Sequence, residues 1–251
     1  MEETDNIENR TVEIEEDAEY KRQLALFVRC STEKGIELSK LGEVIAGIRR
    51  RRNFMDIGAG GGDLTIPLSQ SFRETTVVEP NKKQADFLRR RCPKFNIIES
   101  SWEEADLGSN RYDFILCSHV LYYIDSGNWL VTLEKMYMHL EEDGILAIVL
   151  QSPVGETANF FNQFTDYDVN VMGLWKDIEK RYGEKAIEAR YFINEIWTET
   201  LEDMVDIGLF LLLDRSFRER KEEIANYFKA NHRAKEGYLF TQDVILLTIK
   251  K

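Results

Sequence analysis

Asp56-Ile57-Gly58-Ala59-Gly60-Gly61-Gly62 is the stretch that decides the fold, because it follows a short apolar strand predicted over 53–57 and precedes a helix predicted from Leu64. The clustered glycines predict a sharp turn in which a ligand can approach backbone N–H groups without meeting a Cβ atom. A dinucleotide-binding G-x-G-x-x-G motif would need its third glycine at position 63, which is Asp63. The observed pattern is D-x-G-x-G-x-G instead, so the turn does not carry the dinucleotide motif.

Outward from this turn, the chain alternates between short apolar strands and helices. Alternation of this kind predicts parallel strands with helices on both faces of the sheet. We therefore predict an α/β fold with a doubly wound, mostly parallel, seven-stranded sheet. The predicted strands cover 53–57, 75–79, 95–98, 112–118, 144–151, 209–213 and 243–250, and the helices that alternate with them cover 64–70, 81–91, 129–140, 198–207 and 216–230.

Two further regions lie outside the strict alternation. Two helices are predicted before the first strand, from Ala18 and over 32–50, and an aromatic-rich helical stretch over 153–192 interrupts the repeat like an insertion. Residues 1–16 are acidic and lack an apolar period, which predicts a disordered tail. We predict one domain over 17–251, with an N-terminal helical cap (17–52), a cofactor-binding core (53–152), a substrate-side insertion (153–197) and a C-terminal part of the sheet (198–251).

The charge balance argues against a nucleic-acid partner. The 251 residues include 33 Lys and Arg against 45 Asp and Glu, which gives a net charge of -12. A surface that follows a phosphate backbone needs a basic stripe, and the dense one in this chain is Arg49-Arg50-Arg51-Arg52. We interpret this run as a solvated helix end that places cations at the negative pole of the helix.

The spacing of the cysteines and the hydropathy of the chain indicate the cellular compartment of the protein. No stretch reaches the roughly 20 apolar residues that a membrane span needs, and the amino terminus is acidic where a secretory signal would be basic and then apolar. Cys30, Cys92 and Cys117 have no C-x-x-C spacing, which predicts neither a disulfide framework nor a zinc site. The histidines are scattered, so no metal centre is predicted. We expect a cytoplasmic protein with no membrane partner.

The register of the glycine turn resembles that of class I methyltransferases that use S-adenosylmethionine (SAM). The resemblance implies the Rossmann-like SAM methyltransferase fold and SAM as the cofactor. The charges agree, because carboxylates at 56 and 63 would repel a pyrophosphate but tolerate a ligand with a positive sulfur and an amino group. Glu79 ends the second predicted strand, where its carboxylate can accept both ribose hydroxyls. The cofactor residues implied by the turn itself are Asp56, Gly58, Ala59, Gly60 and Gly62.

Further cofactor contacts follow from topology, because doubly wound sheets bind ligands at the carboxyl ends of their strands. Ser101 and Trp102 follow the third predicted strand, where Trp102 either stacks on the adenine or packs in the core. Ser118 ends the fourth strand and can touch the methionine part of SAM. Pro80 follows Glu79, and Gln84, in the first turn of its helix, either reaches the ribose or is simply exposed.

Several other stretches resemble the histamine N-methyltransferase family. The likeness runs in the same order from about Tyr20 to the end of the chain. It rests on Ser31-Thr32-Glu33, Val78-Glu79-Pro80 with Gln84, Leu121-Tyr122-Tyr123-Ile124, Trp175 with Tyr182-Gly183, and Lys235-Glu236-Gly237-Tyr238-Leu239-Phe240.

This resemblance implies a pocket for an amine. Glu33 matches the glutamate that binds the amine in that family, whereas His119 stands where the family has a glutamine and Gln242 where it has an asparagine. Two of the three polar residues thus differ from those of the family. The resemblance therefore implies a pocket for an amine but does not identify histamine as the substrate. An aromatic box around the cation would consist of Tyr20, Phe27, Tyr122, Tyr123 and Trp175.

Each of these residues also has a structural interpretation. Glu33 suits the start of a helix, the two tyrosines and Trp175 suit core packing, and Gln242 suits a surface turn. His119 ends a central strand and points toward the binding crevice. We predict that Glu33 anchors a cationic group and that His119 positions the acceptor or relays its proton.

The predicted reaction is transfer of a methyl group from SAM to a nitrogen of a small amine or imidazole-like metabolite. Transfer to an oxygen of a small carboxylate or hydroxyl metabolite is an alternative, since His119 could equally serve as a base there. A third possibility is a non-catalytic SAM-binding partner subunit. We expect a monomer or a homodimer.

Overall fold

A computed structural model of the chain describes residues 18–166 and 170–251. The predicted acidic tail over 1–16 lies outside the described residues. The helices are α1 (Ala18–Cys30), α2 (Glu33–Ala46), α3 (Thr65–Ser69), α4 (Lys82–Arg91), α5 (Trp129–Met138), α6 (Glu156–Phe164), α7 (Val171–Tyr182), α8 (Leu201–Leu212) and α9 (Lys221–Asn231). The strands are β1 (Asn53–Ile57), β2 (Glu74–Val78), β3 (Asn96–Ile98), β4 (Tyr112–Ser118), β5 (Leu140–Gln151), β6 (Ile187–Thr198), β7 (Arg233–Ala234) and β8 (Gly237–Lys250).

The strands form a mixed sheet in the order β3-β2-β1-β4-β5-β8-β6, and β7 pairs with β8 outside this path. The pairs β1–β2, β1–β4, β2–β3 and β4–β5 are parallel, whereas β5–β8 is antiparallel. The chain order reverses at β1, which lies between β2 and β4. The predicted α/β fold, with a doubly wound and mostly parallel sheet and helices at the N-terminus, is confirmed.

One predicted strand was wrong, and two observed strands were missed, the two-residue β7 and the longer β6, so the sheet of the described residues has eight strands where seven were predicted. The run over 209–213, predicted as a strand, lies in α8 up to Leu212 and ends in the left-handed Leu213 (φ 56°). Most of α8 is buried, so its apolar residues show no helical period and cannot be told from a buried strand by sequence. The longer missed strand, β6, falls within the predicted insertion over 153–197 except for its last residue. Its later buried positions, Phe192, Asn194, Ile196 and Thr198, follow the two-residue period of a half-buried strand.

The end of α2 also differs from the prediction, which extended the helix to residue 50. The helix ends at Ala46, and the side chain of Arg51 donates to the carbonyl oxygens of Ala46 (3.0 Å) and Ile48 (3.1 Å). The carbonyl oxygen of Ala46, the last residue of the helix, lies at its negative pole. The interpretation of the arginine run as a helix end with favourable cations is therefore confirmed for Arg51.

The residue contacts divide the chain into two compact units. The first unit comprises Met1–Lys34, Ser152–Asp168 and Phe192–Asp243, of which the structure describes residue 18 onward and not 167–168. The second unit comprises Gly35–Gln151, Val169–Tyr191 and Val244–Lys251. The single domain over 17–251 stays a prediction.

The core of the second unit lies against the sheet. Strands β1 and β4 are buried on both faces, as expected for central parallel strands covered by helices. The largest side chains with almost no exposure there include Phe54, Met55, Phe114 and Ile115. The buried carboxylate of Asp113 accepts hydrogen bonds from the side chain of the exposed Arg50 and from the backbone N–H groups of Arg52 and Asn53.

The core of the first unit is rich in aromatic rings. Phe160 stacks on Phe228 with 5.2 Å between ring centroids, and Phe240 meets Phe228 edge-on at 5.4 Å. His232 packs into the same cluster at 4.9 Å from the Phe240 ring. Among the described residues, no helix has the length and apolar content that a bilayer crossing requires.

Candidate functional site

The predicted glycine turn has the backbone conformation that requires glycine. Gly58, Gly60 and Gly62 have φ values of 70°, 55° and 85°, in the left-handed region that L-residues with a Cβ rarely adopt. A Cβ atom on Gly58 would lie 2.5 Å from Val120 Cγ2, which is closer than two carbon atoms can approach. The turn after β1 therefore requires glycine at position 58, where Val120 from the segment after β4 lies close to the backbone.

Asp56 forms a hydrogen bond that links the two segments on either side of this turn. Its carboxylate is buried in β1 and accepts a hydrogen bond from Thr65 Oγ1 at 2.6 Å. Thr65 is the first residue of α3, so this bond joins the end of the strand to the start of the helix that follows the turn. The two segments that flank the predicted cofactor loop are thus joined by a side-chain hydrogen bond.

Glu79 is placed at the carboxyl end of β2, as predicted, and its carboxylate faces the same turn. Oε2 accepts the backbone N–H of Gly60 at 2.8 Å, and Oε1 accepts the backbone N–H of Asn81 at 2.8 Å. These two bonds orient the carboxylate group. Two backbone donors fix a buried carboxylate beside the turn, where the sequence predicts the ribose.

The remaining residues predicted around the cofactor lie on the segments that surround the turn. Gln84 is half-buried in α4, and its Oε1 would lie 3.1 Å from a Cβ on Gly60, so it contacts the turn. Pro80 is exposed, and Ala59 is half-buried within the turn. Ser101 is half-buried, and its Oγ accepts the N–H of Glu104 at 3.4 Å. Their contacts with a cofactor stay predictions.

Trp102 is almost fully buried, at 4% exposed, and packs in the core of the second unit. The ammonium group of Lys135 lies 4.7 Å from the centroid of its ring and donates to the carbonyl oxygens of Trp102, Glu103 and Ala105. Burial lowers the pKa of Lys135. These contacts support the interpretation that Trp102 packs in the core, whereas its stacking on an adenine stays a prediction.

Ser118 provides the observation that favours a ligand at this edge. Its Oγ is buried and has no hydrogen-bond partner among the residues that the structure describes. Ser118 ends β4, one residue beyond Cys117, which pairs with Ile57 at the end of β1. An orphaned buried hydroxyl has a free-energy cost unless a ligand satisfies it. Together with the glycine turn and the carboxylate of Glu79, it fits the predicted SAM, whose amino acid part can supply that partner.

His119 follows directly and has an unusual backbone. Its φ is 56°, which is uncommon for a residue with a Cβ, and its N–H donates to Val149 O at 3.0 Å. Its Nε2 lies 2.7 Å from Glu37 Oε1, and its Nδ1 lies 3.2 Å from the hydroxyl of Tyr122. The hydroxyl of Tyr122 in turn accepts the backbone N–H of Gln151. His119 is therefore held on both ring nitrogens at the carboxyl end of β4.

Glu37 is a candidate site residue that the sequence analysis did not identify. It is fully buried in α2, one helical turn before Leu41 and two turns before Val44, both of which are also buried. A carboxylate on the apolar stripe of an amphipathic helix was the available signal, because a buried charge needs a partner. The partner, His119, lies in a distant part of the sequence and could not be identified from periodicity.

The aromatic residues predicted around the substrate divide between the two units. In the second unit, Tyr122 and Trp175 are half-buried and pack against the core, and Tyr123 is half-buried. In the first unit, Tyr20 and Phe27 pack on the ring of Phe210, with 5.4 and 5.1 Å between centroids. Phe27 thus belongs to the core of the first unit. The aromatic box stays a prediction.

Glu33 and Gln242 are polar residues that were predicted to contact the substrate. Both lie in the first unit, and both are buried. The N–H of Glu33 donates to Ser31 Oγ at 3.0 Å, as expected for a helix start, and its carboxylate pairs with Lys34 at 2.9 Å. Gln242 was predicted in a surface turn, which is wrong: it lies inside β8, and its Oε1 accepts Asn194 Nδ2 at 3.4 Å. β8 begins at Gly237, earlier than predicted, because the alternating pattern before residue 243 includes polar residues.

Comparisons with known proteins agree on the kind of domain. A family model described as a methyltransferase domain matches residues 29–181, more than half of the chain. Ribosomal RNA small subunit methyltransferase A from Chlorobium limicola is 35% identical over 63 residues, which cover 25% of this chain and 24% of that protein. (S)-coclaurine N-methyltransferase from Thalictrum flavum subsp. glaucum is 22% identical over 218 residues, which cover 73% of this chain and 57% of that protein. The chain thus spans between a quarter and just over half of the length of these two relatives.

Solved structures share the fold over most of the chain. The crystal structure of a SAM-dependent methyltransferase from Archaeoglobus fulgidus has a TM-score of 0.54 at 18% identity and covers 87% of this chain and 94% of that chain. Other structures of the same fold contain S-adenosylhomocysteine, the product of SAM after methyl transfer. At these identities the likeness shows the fold.

Proposed function

The chain belongs to the family of SAM-dependent methyltransferases, and we propose that it moves the methyl group of SAM to a nitrogen atom of a small amine or imidazole-like metabolite. The observation that carries this proposal is the position of His119. Val120, the next residue, contacts the glycine turn at Gly58, and the ring of His119 is held by Glu37 and Tyr122. A titratable side chain in a fixed orientation thus adjoins the glycine turn, where the cofactor is predicted to bind.

The chemistry depends on orientation more than on charge. When bound, SAM supplies a methyl group on a positive sulfur; the S–C bond breaks as an N–C bond forms, and the positive charge moves from sulfur to nitrogen. The task of the chain is then to hold a neutral nitrogen with its lone pair in line. His119 can position that nitrogen or take up a proton from it.

Two likenesses support a nitrogen acceptor. (S)-coclaurine N-methyltransferase, whose match covers 73% of this chain, is an N-methyltransferase by name. The stretches around Glu33 and Tyr122 resemble the histamine N-methyltransferase family, in which the matching glutamate binds the amine. Within this proposal Glu33 anchors a cationic group of the substrate.

A second candidate is transfer to the oxygen of a small carboxylate or hydroxyl metabolite. The hydrogen bond between His119 and Glu37 favours it, because a hydroxyl must lose its proton to become a strong nucleophile.

We further propose that the partner is a small molecule rather than a nucleic acid, and that the chain works as a monomer or homodimer. The three cysteines are free, which supports a reducing, cytoplasmic compartment.

The test combines cofactor binding with product analysis. SAM binding is measured by calorimetry, and the purified protein is then incubated with SAM and separate panels of amines, imidazoles, hydroxyl compounds and carboxylates. A methylated amine or imidazole, identified by mass spectrometry, is the expected result. Methylation of hydroxyl or carboxylate compounds alone would support the second candidate. SAM binding without any methylated product would support a non-catalytic SAM-binding subunit.

A further inference from the structure

We propose that Tyr122 is the catalytic residue that touches the acceptor, that His119 takes the proton through it, and that Glu37 is the positioning residue that holds the imidazole. This inference rests on the proposed function and narrows its substrate class. The acceptor is an alkylamine that arrives as an ammonium ion and must lose a proton before its nitrogen can be methylated. The relay lies wholly within the second unit.

The two ring nitrogens of His119 determine the direction of the relay. A buried carboxylate accepts hydrogen bonds, so the 2.7 Å contact between Glu37 Oε1 and Nε2 places the ring proton on Nε2. Nδ1 is then an acceptor, and the hydroxyl 3.2 Å away on Tyr122 is its donor. Because both nitrogens are engaged, the ring reaches a substrate through the hydroxyl of Tyr122.

Tyr122 is oriented for this role by a second bond. Its oxygen accepts the backbone N–H of Gln151 in β5, which directs the hydroxyl proton toward His119. A phenol oxygen can accept more than one hydrogen bond, so it can also receive a proton from a donor in the pocket. The side chain is half-buried on the 3-10 turn Leu121–Tyr123, directly after the segment that contacts the glycine turn.

The backbone of His119 supports the same conclusion. A left-handed φ of 56° at a residue with a Cβ is unfavourable and is retained where the surrounding structure imposes it. Here the bond from the N–H of His119 to Val149 O holds that conformation and aims the ring at Glu37. The fold maintains an uncommon conformation that completes the contact between His119 and Glu37.

The proton is conserved along this path. An ammonium group gives one proton to the oxygen of Tyr122 as the O–H proton of Tyr122 passes to Nδ1 of His119. The imidazolium that results is paired with the carboxylate of Glu37. The substrate is left as a neutral amine with a free lone pair, and the proton on His119 later passes to solvent.

The substrate class follows from ordinary basicities. An alkylamine such as the side chain of lysine has a pKa of about 10, whereas an imidazole has a pKa of about 6.5 and already carries a free lone pair near neutral pH. Only the alkylamine needs a base before transfer. A relay supported by a buried carboxylate therefore favours an alkylamine acceptor over an imidazole.

Other titratable groups stand near the relay. Glu33 lies one turn before Glu37 on the same side of α2, and Tyr123 follows Tyr122. Cys117 precedes Ser118 in β4, and its pKa is raised by burial and by Asp56, so its thiol does not titrate near neutral pH. The pH experiment therefore tests Glu37 by substitution rather than by assignment from the wild-type curve alone.

The experiment compares Glu37→Gln and Tyr122→Phe with two control variants. Glu43→Gln removes an exposed carboxylate from the same helix, and Tyr137→Phe removes a phenol that stacks on Tyr182 in α7. With an alkylamine acceptor, we expect kcat to fall by about 100-fold in Tyr122→Phe, the lower range of general acid–base effects. We expect the acid limb of the kcat/KM profile to move about one pH unit lower in Glu37→Gln, because the imidazolium loses its counter-charge. Both control variants should behave like the wild type.

A second measurement does not depend on activity. In cofactor-free protein labelled with 15N-histidine, we expect NMR to report the Nε2–H form of His119 in the wild type and in the controls, and a mixture of forms in Glu37→Gln. SAM affinity close to that of the wild type shows that the variants fold. An unmoved acid limb together with an Nδ1–H ring would overturn the relay while leaving amine methylation intact. If the wild type methylates an imidazole and no alkylamine, the relay fails and the proposed function stands; if it methylates neither, the proposed function fails instead.

Discussion

The backbone N–H of Gly60 donates to Glu79 Oε2 across 2.8 Å, which joins the turn after β1 to the carboxyl end of β2. The same carboxylate accepts the N–H of Asn81 through its other oxygen. A ligand that binds at this edge therefore meets a carboxylate whose position is set by the backbone of two different segments. The predicted cofactor site is thus held in place by hydrogen bonds within the protein itself.

Replacing this carboxylate should weaken SAM binding. Glu79→Gln keeps the shape of the side chain but loses the charge and presents an NH₂ group to a backbone N–H. Hydrogen bonds to charged groups contribute about 1.5–3 kcal/mol, so we expect a rise in the SAM dissociation constant of about 10- to 100-fold by calorimetry. The control is Glu74→Gln, an exposed carboxylate at the start of β2. Equal affinities in the two variants would contradict the role of Glu79.

The glycine turn offers a matched pair of substitutions. At Gly58 a Cβ atom meets Val120 at 2.5 Å and the backbone φ is 70°, whereas at Gly61 no atom lies within 4 Å of a Cβ. Gly58→Ala should lower the free energy of unfolding by about 1–3 kcal/mol and weaken SAM binding. Gly61→Ala should change neither quantity by much. Urea unfolding and calorimetry measure both, and similar effects at the two sites would show that the turn tolerates a Cβ.

The parts of the site that the sequence predicted are those set by local pattern. The glycine register and Glu79 at a strand end each follow from a few neighbouring residues, and the structure places Gly60 and Glu79 in direct contact. The bond between Glu37 and His119 joins residues 82 positions apart in the chain, so only folding brings them together. Gln242 was misplaced because polar residues obscured the start of β8.

The fold shows the same division between local and non-local information. Strand β4 was predicted with its observed bounds, since its apolar run is short and bordered by polar residues. Strand β6 was missed because its exposed face includes Tyr191, Ile193 and Trp197, which reduce the contrast between its two faces. Apolar residues on the solvent side of a strand conceal the period of two on which a sequence prediction depends.

Lys135 is expected to support the segment that carries Ser101 and Trp102. Its ammonium group donates to three carbonyl oxygens of that segment, the closest being Trp102 O at 2.7 Å. Lys135→Met keeps the aliphatic stem but removes these bonds, so we expect a loss of about 1–3 kcal/mol in the free energy of unfolding. If the segment binds the adenine, SAM affinity should fall several-fold as well. Lys94→Met, at an exposed lysine, is the control, and equal stability in both variants would show that the three bonds contribute little.

His232 should make the stability of the protein depend on pH. Its side chain lies among Tyr227, Phe228 and Phe240, and its Nε2 is buried with no hydrogen-bond partner within the described part of the chain. Burial lowers the pKa of His232 below its ordinary value, and the nearby carboxylate of Glu156 opposes this shift without cancelling it. The folded protein therefore favours the neutral imidazole.

The sign of the effect follows from proton binding. Between the lowered pKa of the folded state and the ordinary value of about 6.5, the unfolded chain binds more protons than the folded protein. The stability that His232 contributes is thus present above about pH 6.5 and is lost as the pH falls through the folded-state pKa. We expect urea unfolding curves recorded from about pH 7.5 to about pH 5 to show a falling free energy in the wild type and a flatter dependence in His232→Phe. His139→Gln, at a half-buried histidine whose Nδ1 lies 2.9 Å from Asn110 O, should keep the wild-type dependence. Parallel curves for the wild type and His232→Phe would show that the aromatic cluster accommodates the charged ring.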